Sequence, residues 1–170
     1  MQAALNDQIN KELYSEYLYL SMAAYFESLG LKGFANWMRV QTREEHTHAI
    51  MMFTYVNDAG GRVALAPIDG PELDWVSPLA AFEKVLSHEQ YVTSRINNLV
   101  NLALDERDHA SNAFLQWFIT EQVEEEANAK QIVDTLKLIG DQAQPLLMLD
   151  RELATRVFVV PAAAATIGVI

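Results

Sequence analysis

The sequence predicts an all-α protein: a four-helix bundle with one long crossover, followed by a short fifth helix. Three observations carry this expectation. Gly and Pro divide the 170-residue chain into long uninterrupted stretches. Within each stretch, core-type residues recur every three or four positions, the period of a packed helix and not the alternation of a strand. The connections run short, long, short, which sets the topology.

The elements follow in order. Residues 4–29 hold neither Gly nor Pro, and Gly30 closes them; their seam is Leu5, Ile9, Glu12, Glu16, Tyr19, Ala23 and Phe26. Residues 34–59 form the second stretch, closed by Gly60 and Gly61, with a seam of Phe34, Met38, Gln41, Glu45, His48, Met52 and Tyr55. Residues 61–77 contain Pro67, Gly70 and Pro71 and read as a connection. Ser77 is a helix N-cap and Pro78 a first helical position. From there to Gly140 the chain is again free of breakers, too long for one ordinary helix, and the polar cluster at 105–108 predicts a turn. The third seam is Phe82, Leu86, Glu89, Thr93, Ile96, Val100 and Ala103. The fourth is Leu115, Phe118, Gln122, Glu125, Ala129, Ile132 and Leu136. A short helix over 145–156 and an apolar tail complete the chain. Each long helix spans ~40 Å at 1.5 Å per residue. Short turns make the first two helices antiparallel, and the last two as well. The 61–77 connection is long enough to cross the bundle from end to end.

Composition narrows the function. A chain that is 51% hydrophobic and 21% charged is not disordered. With no cysteine, it has no disulfide scaffold, no thiolate metal site and no thiol nucleophile. A net charge of −11 opposes a phosphate backbone, so nucleic acid is not an expected partner. No apolar run reaches membrane-spanning length and no secretory signal is seen, so a soluble, cytoplasmic protein without a membrane partner is expected.

Every seam is apolar except near its middle. There the helices place ionisable groups where the pattern calls for core residues, and an unpaired buried carboxylate costs several kcal/mol. The spacing repeats. Glu45 and His48 follow Glu12 by 33 and 36 residues; Gln122 and Glu125 follow Glu89 by the same 33 and 36. In antiparallel helices this sets the groups at nearly one height, ~20–25 Å from the turn. Four carboxylates, an imidazole and a carboxamide then meet in the bundle centre. Mixed oxygen and nitrogen ligands of this kind suit iron, manganese or zinc. One site is Glu12, Glu45 and His48; a second, more open one is Glu45, Glu89 and Glu125. Glu45 is placed to bridge, and Gln122 to hydrogen-bond a bound water or oxygen species.

The motifs NKELYSEYLYLSM, TREEHTHA, SHEQYVTSRIN and FLQWFITEQVEEE resemble those of prokaryotic non-haem ferritins with a heavy-chain-like ferroxidase centre. The resemblance covers residues 1 to about 155. It implies oxidation of Fe²⁺ by dioxygen at a di-iron centre, with ferric mineral stored inside a 24-subunit homo-oligomeric shell. It also implies that Tyr19 lies beside the centre and that Glu44, Glu121 and Glu124 form a third iron site. Bacterioferritins carry a haem-binding methionine where this chain has His46, and a second E-x-x-H where it has Gln122 and Glu125. No haem is therefore expected.

Two other classes share the helical pattern. A rubrerythrin-like di-iron peroxidase often carries a cysteine-rich electron-transfer module, and this chain has no cysteine. A DNA-protecting mini-ferritin holds its metals between subunits, whereas here one chain supplies a full ligand set. The organisation expected is a di-iron domain over 1–156 and an apolar tail over 157–170, whose uncharged VFVVPAAAATIGVI should pack against neighbouring subunits. Trp117 reads as packing, Glu126 as a solvated helix face, and His88 and His109 as surface residues.

Overall fold

The computed structural model describes residues 1–166. Six helices account for its regular structure: α1 (Gln2–Ser28), α2 (Lys32–Asp58), α3 (Pro78–Asp105), α4 (His109–Ile139), α5 (Ala143–Leu153) and α6 (Ala162–Thr166). No strand occurs among the described residues. The four long helices span 27, 27, 28 and 31 residues, about two to three times an ordinary globular helix.

The chain divides into two compact units. The first comprises Met1–Leu5 and Val76–Gly140, and so holds α3 and α4. On α4 the buried seam is the expected one, with Leu115, Phe118, Ala129 and Leu136; on α3 Phe82, Ile96 and Ala103 are buried as expected, but Val85, Val92 and Leu99 are buried in place of Leu86, Thr93 and Val100, which are half-buried. The local signals act as read. Ser77 Oγ accepts from Ala80 N at 3.1 Å, ahead of Pro78. The predicted turn is tighter than the four polar residues suggest. Helix α3 runs through Asp105, Arg107 takes a left-handed φ of 55°, and Asp108 already caps α4. Its carboxylate accepts from Ser111 N at 3.0 Å and from Ser111 Oγ at 2.7 Å, which hold its pKa below the usual range.

The second unit comprises Asn6–Trp75 and Asp141–Ile170. Helices α1 and α2 bury Ile9, Phe26, Phe34 and Met52, and they meet where Phe26 stacks on Phe34 at 5.1 Å. The turn between them needs Gly30, whose φ of 75° lets Leu31 N reach back to Phe26 O at 3.1 Å. The long connection runs beside α1. Asn6 Nδ2 donates to Arg62 O at 3.0 Å and Asn10 Nδ2 to Pro67 O at 3.0 Å. Further along, Ser21 Oγ donates to Glu72 O at 2.6 Å, and Tyr25 meets Trp75 edge-on at 5.3 Å. A span from position 6 to position 25 of one helix is ~28 Å, so 61–75 does travel the length expected of a crossover.

The fifth helix differs from the sequence reading: Ala143–Leu153 in place of 145–156. Chain past Leu153 is drawn off the helix axis because Asn36 Nδ2 binds the carbonyls of Leu153 at 3.2 Å and Arg156 at 2.9 Å. The tail also holds an unexpected helix, α6, which starts immediately after Pro161 and buries Ala164. Pro161 ends extended chain and begins a helix, where its fixed φ is no obstacle. Phe158 lies under the Arg43 guanidinium at 4.3 Å, so part of the tail packs on this chain's own α2. Val157 and Val159 remain exposed. The last residues of the tail, 167–170, lie outside the described residues.

Candidate metal centre

Helices α1 and α2 bring together Glu12, Glu45 and His48. Each is buried, at 2% exposure or less, and one ligand atom from each lies within 4.8 Å of the others. Gln8, one turn before Glu12, donates from Nε2 to Glu12 Oε1 at 2.8 Å and fixes that carboxylate. His48 Nδ1 stands 3.6 Å from Glu45 Oε2. Burial pushes the His48 imidazole down to about 4, so it is neutral at pH 7 and keeps a lone pair for a metal. Two carboxylates and a neutral imidazole make a mixed oxygen and nitrogen donor set that fits a first-row divalent ion. Tyr19, two turns along α1 from Glu12, is fully buried.

Helices α3 and α4 carry the residues of the expected second group within their own unit. Glu89, Gln122 and Glu125 are all buried. Gln122 Nε2 donates to Glu89 Oε2, to Glu89 O and to Thr93 Oγ1, each at 3.3 Å. The carboxamide expected to meet a water or oxygen species is thus engaged by Glu89. The Thr93 hydroxyl donates to Glu126 Oε1 at 2.6 Å. Glu126 is therefore not the solvated face that the sequence suggested, but a half-buried group tied to the site.

The residues matched to a third iron site are placed differently from one another. Glu44 Oε2 accepts from Arg156 Nη2 at 2.7 Å, and that guanidinium lies 4.4 Å from the Trp37 ring. Glu121 is half-buried and Glu124 exposed on α4. Gln8 and Arg156 escaped the sequence reading, while Thr93 was read only as a seam position and Glu126 only as a solvated face. Gln8 carried a signal, its i,i+4 spacing from Glu12. Arg156 carried none, because its partner lies 112 residues away. Glu16, left without a role by the seam, pairs with His46 at 3.1 Å beside a groove of about 470 Å³. Trp117 packs edge-on against Phe118 at 4.8 Å, as expected of a packing residue.

His88 corrects an expectation. It is buried, not on the surface, while His109 is exposed. Burial, helped by the neighbouring Lys84 charge, pushes His88 down to about 4 from 6.5. An unfolded chain takes up this proton near pH 6.5, a folded one only near pH 4. Stability is then complete above the higher value and falls as the pH drops toward the lower, by on the order of 3 kcal/mol for this group. His48 acts in the same direction, so the difference between parent and His88→Leu isolates His88. The variant should lose less melting temperature between pH 7 and pH 5 than the parent; equal losses would mean that His88 titrates freely in the folded state.

Residues 2–139 match the family described as Ferritin-like domain. A bacterial non-heme ferritin of Bacteroides fragilis is 43% identical over 156 residues, covering 92% of this chain and 97% of that protein. One from Staphylococcus aureus is 40% identical over 155 residues, covering 91% and 93%. Among solved structures, a closed form of the Archaeoglobus fulgidus ferritin, engineered by site-directed mutagenesis, matches with a TM-score of 0.92 at 58% identity over 94% of this chain and 97% of that one. The open pore ferritin of the same archaeon matches with a TM-score of 0.92 at 57% identity over 92% and 97%. Likeness at this level shows the four-helix-bundle fold that the seams predicted. Taken with the buried carboxylates and imidazole on its long helices, these matches establish that the chain belongs to the ferritin family.

Proposed function

We propose that this protein oxidises Fe²⁺ with dioxygen and stores the ferric product as mineral inside a homo-oligomeric shell of 24 subunits. The observation that carries the reading is the Glu12–Glu45–His48 set: three buried ligands with converging atoms, of a type that binds Fe²⁺. Iron is both substrate and cargo. Glu12, Glu45 and His48 hold one ion, and Glu89, Glu125 and Gln122 serve the second. The group with histidine binds first, because the other offers only oxygen donors and a carboxamide. Tyr19, buried two turns along α1 from Glu12, serves this first group under the same reading. Glu44, Glu121 and Glu124 take oxidised iron onward, with Arg156 as the cation that Glu44 gives up when it receives iron.

The 1–156 segment is the functional domain under this reading, and 157–170 contributes to contacts between subunits. Helices among the described residues are not long and apolar enough to cross a membrane, in keeping with a cytoplasmic store. Aerobic addition of Fe²⁺ tests the reading. Ferric absorbance should rise faster than in protein-free buffer, saturate at first near two iron ions per chain, and then continue as mineral forms. Size exclusion should give the mass of a 24-mer. A dimer or a 12-mer, or iron oxidation no faster than in buffer, would overturn it.

A further inference from the structure

We propose that Thr93 and Glu126 form an antechamber through which Fe²⁺ reaches the Glu89–Gln122–Glu125 group. This rests on the assignment of that group as an iron site. Between α3 and α4 lies a pocket of about 300 Å³, lined by Thr93, Ile96, Asn97, Gln122 and Glu126 among others. Gln122 closes its inner end, and its carboxamide is bonded to Glu89 behind it. Glu126 stands toward the outside, half-buried, and Thr93 sits between the two. Glu126, Thr93, Gln122 and Glu89 thus form one unbroken file of hydrogen bonds, 2.6, 3.3 and 3.3 Å long, from the pocket to a carboxylate that is 1% exposed.

Each member suits the passage of a hard cation. Among the described residues the Glu126 carboxylate forms no ion pair with Lys or Arg; a neutral hydroxyl holds it. It is therefore a negative charge beside apolar walls, Ile96, Ile119 and Val123, where its field is less screened than at an open surface. An arriving Fe²⁺ exchanges waters for the Glu126 carboxylate, and the Thr93 hydroxyl turns its oxygen toward the ion. Gln122 is bonded to both Thr93 and Glu89, so its rotation opens the way inward and withdraws its own donor from the Glu89 carboxylate that is to take the metal. Nothing is oxidised in these steps. The file also explains why a threonine occupies a seam position expected to be apolar.

The test uses Glu126→Gln and Thr93→Val in the assembled protein, with Thr93→Ser as the conservative control. Anaerobic stopped-flow mixing with Co²⁺, read by its visible absorbance, reports metal arrival without turnover. Both variants should take up Co²⁺ about five- to tenfold more slowly at the phase that Glu89→Ala abolishes, with unchanged final stoichiometry. Thr93→Ser should restore the parent rate. In aerobic assays KM for Fe²⁺ should rise by a similar factor while kcat changes less than twofold. Uptake at the parent rate in Glu126→Gln, or kcat falling with KM unchanged, would overturn the antechamber. If Glu89→Ala abolishes no phase in any background, the site assignment itself has failed, which is a separate result.

Discussion

The Glu45→Ala variant should fold and assemble, yet oxidise Fe²⁺ on the order of 10²-fold more slowly in the first turnover, an increase of about 2.7 kcal/mol in the barrier. Glu45 is one of the three buried candidate ligands with atoms within 4.8 Å of one another, and it is 2% exposed. Loss of that carboxylate leaves Glu12 and His48, a neutral imidazole and a single charge, to hold a divalent ion. The fold has no comparable need of it. A buried charge destabilises a protein that lacks its counter-ion, so metal-free Glu45→Ala should melt at or above the parent temperature. The two measurements together make the test specific, because a merely structural Glu45 would lower both rate and stability. Glu125→Ala, in the other group, should cost less. Oxidation by Glu45→Ala at the parent's initial rate would remove Glu45 from the centre.

Gly33→Ala should destabilise the protein by about 3 kcal/mol or more through a contact far from the metal centre. A Cβ at Gly33 would lie 1.5 Å from the carbonyl oxygen of Asp150 and 2.5 Å from its carbonyl carbon. Both are backbone atoms of α5, so no side chain can turn aside to make room. The helix must move away, and its bonds to α2 go with it. Asp150 Oδ1 accepts from Gly33 N at 2.8 Å and from Phe34 N at 3.1 Å, capping α2 in place of Leu31, which has no side-chain acceptor. Asp150→Ala removes the cap without the clash and should cost about 1 kcal/mol. Chemical denaturation of both variants measures the two effects. Equal stabilities for Gly33→Ala and parent would show that α5 does not sit against α2 in solution.

Much of this molecule is written locally. Helix periods, the Gly30 stop and Ser77 before Pro78 depend only on residues within a turn or two of one another, and each acts as read. The candidate metal ligands stood out in the sequence for a related reason. Acids on an otherwise apolar seam are anomalies, and their repeated 33- and 36-residue spacing survives any small error in helix ends. The exact span of α5 was not legible, since a carboxamide on α2 draws the chain off its axis after Leu153. Nor was the cap of α2, which comes from Asp150 more than a hundred residues later. Lone polar residues were the hardest to place. His88 and Glu126 look alike in sequence to any exposed histidine or glutamate, and became a buried imidazole and a half-buried carboxylate bonded to Thr93 through the neighbours that packing set around them. Periodicity reports which face of a helix is buried; how deeply a residue at the edge of that face is covered, and by what, depends on chain far away in sequence.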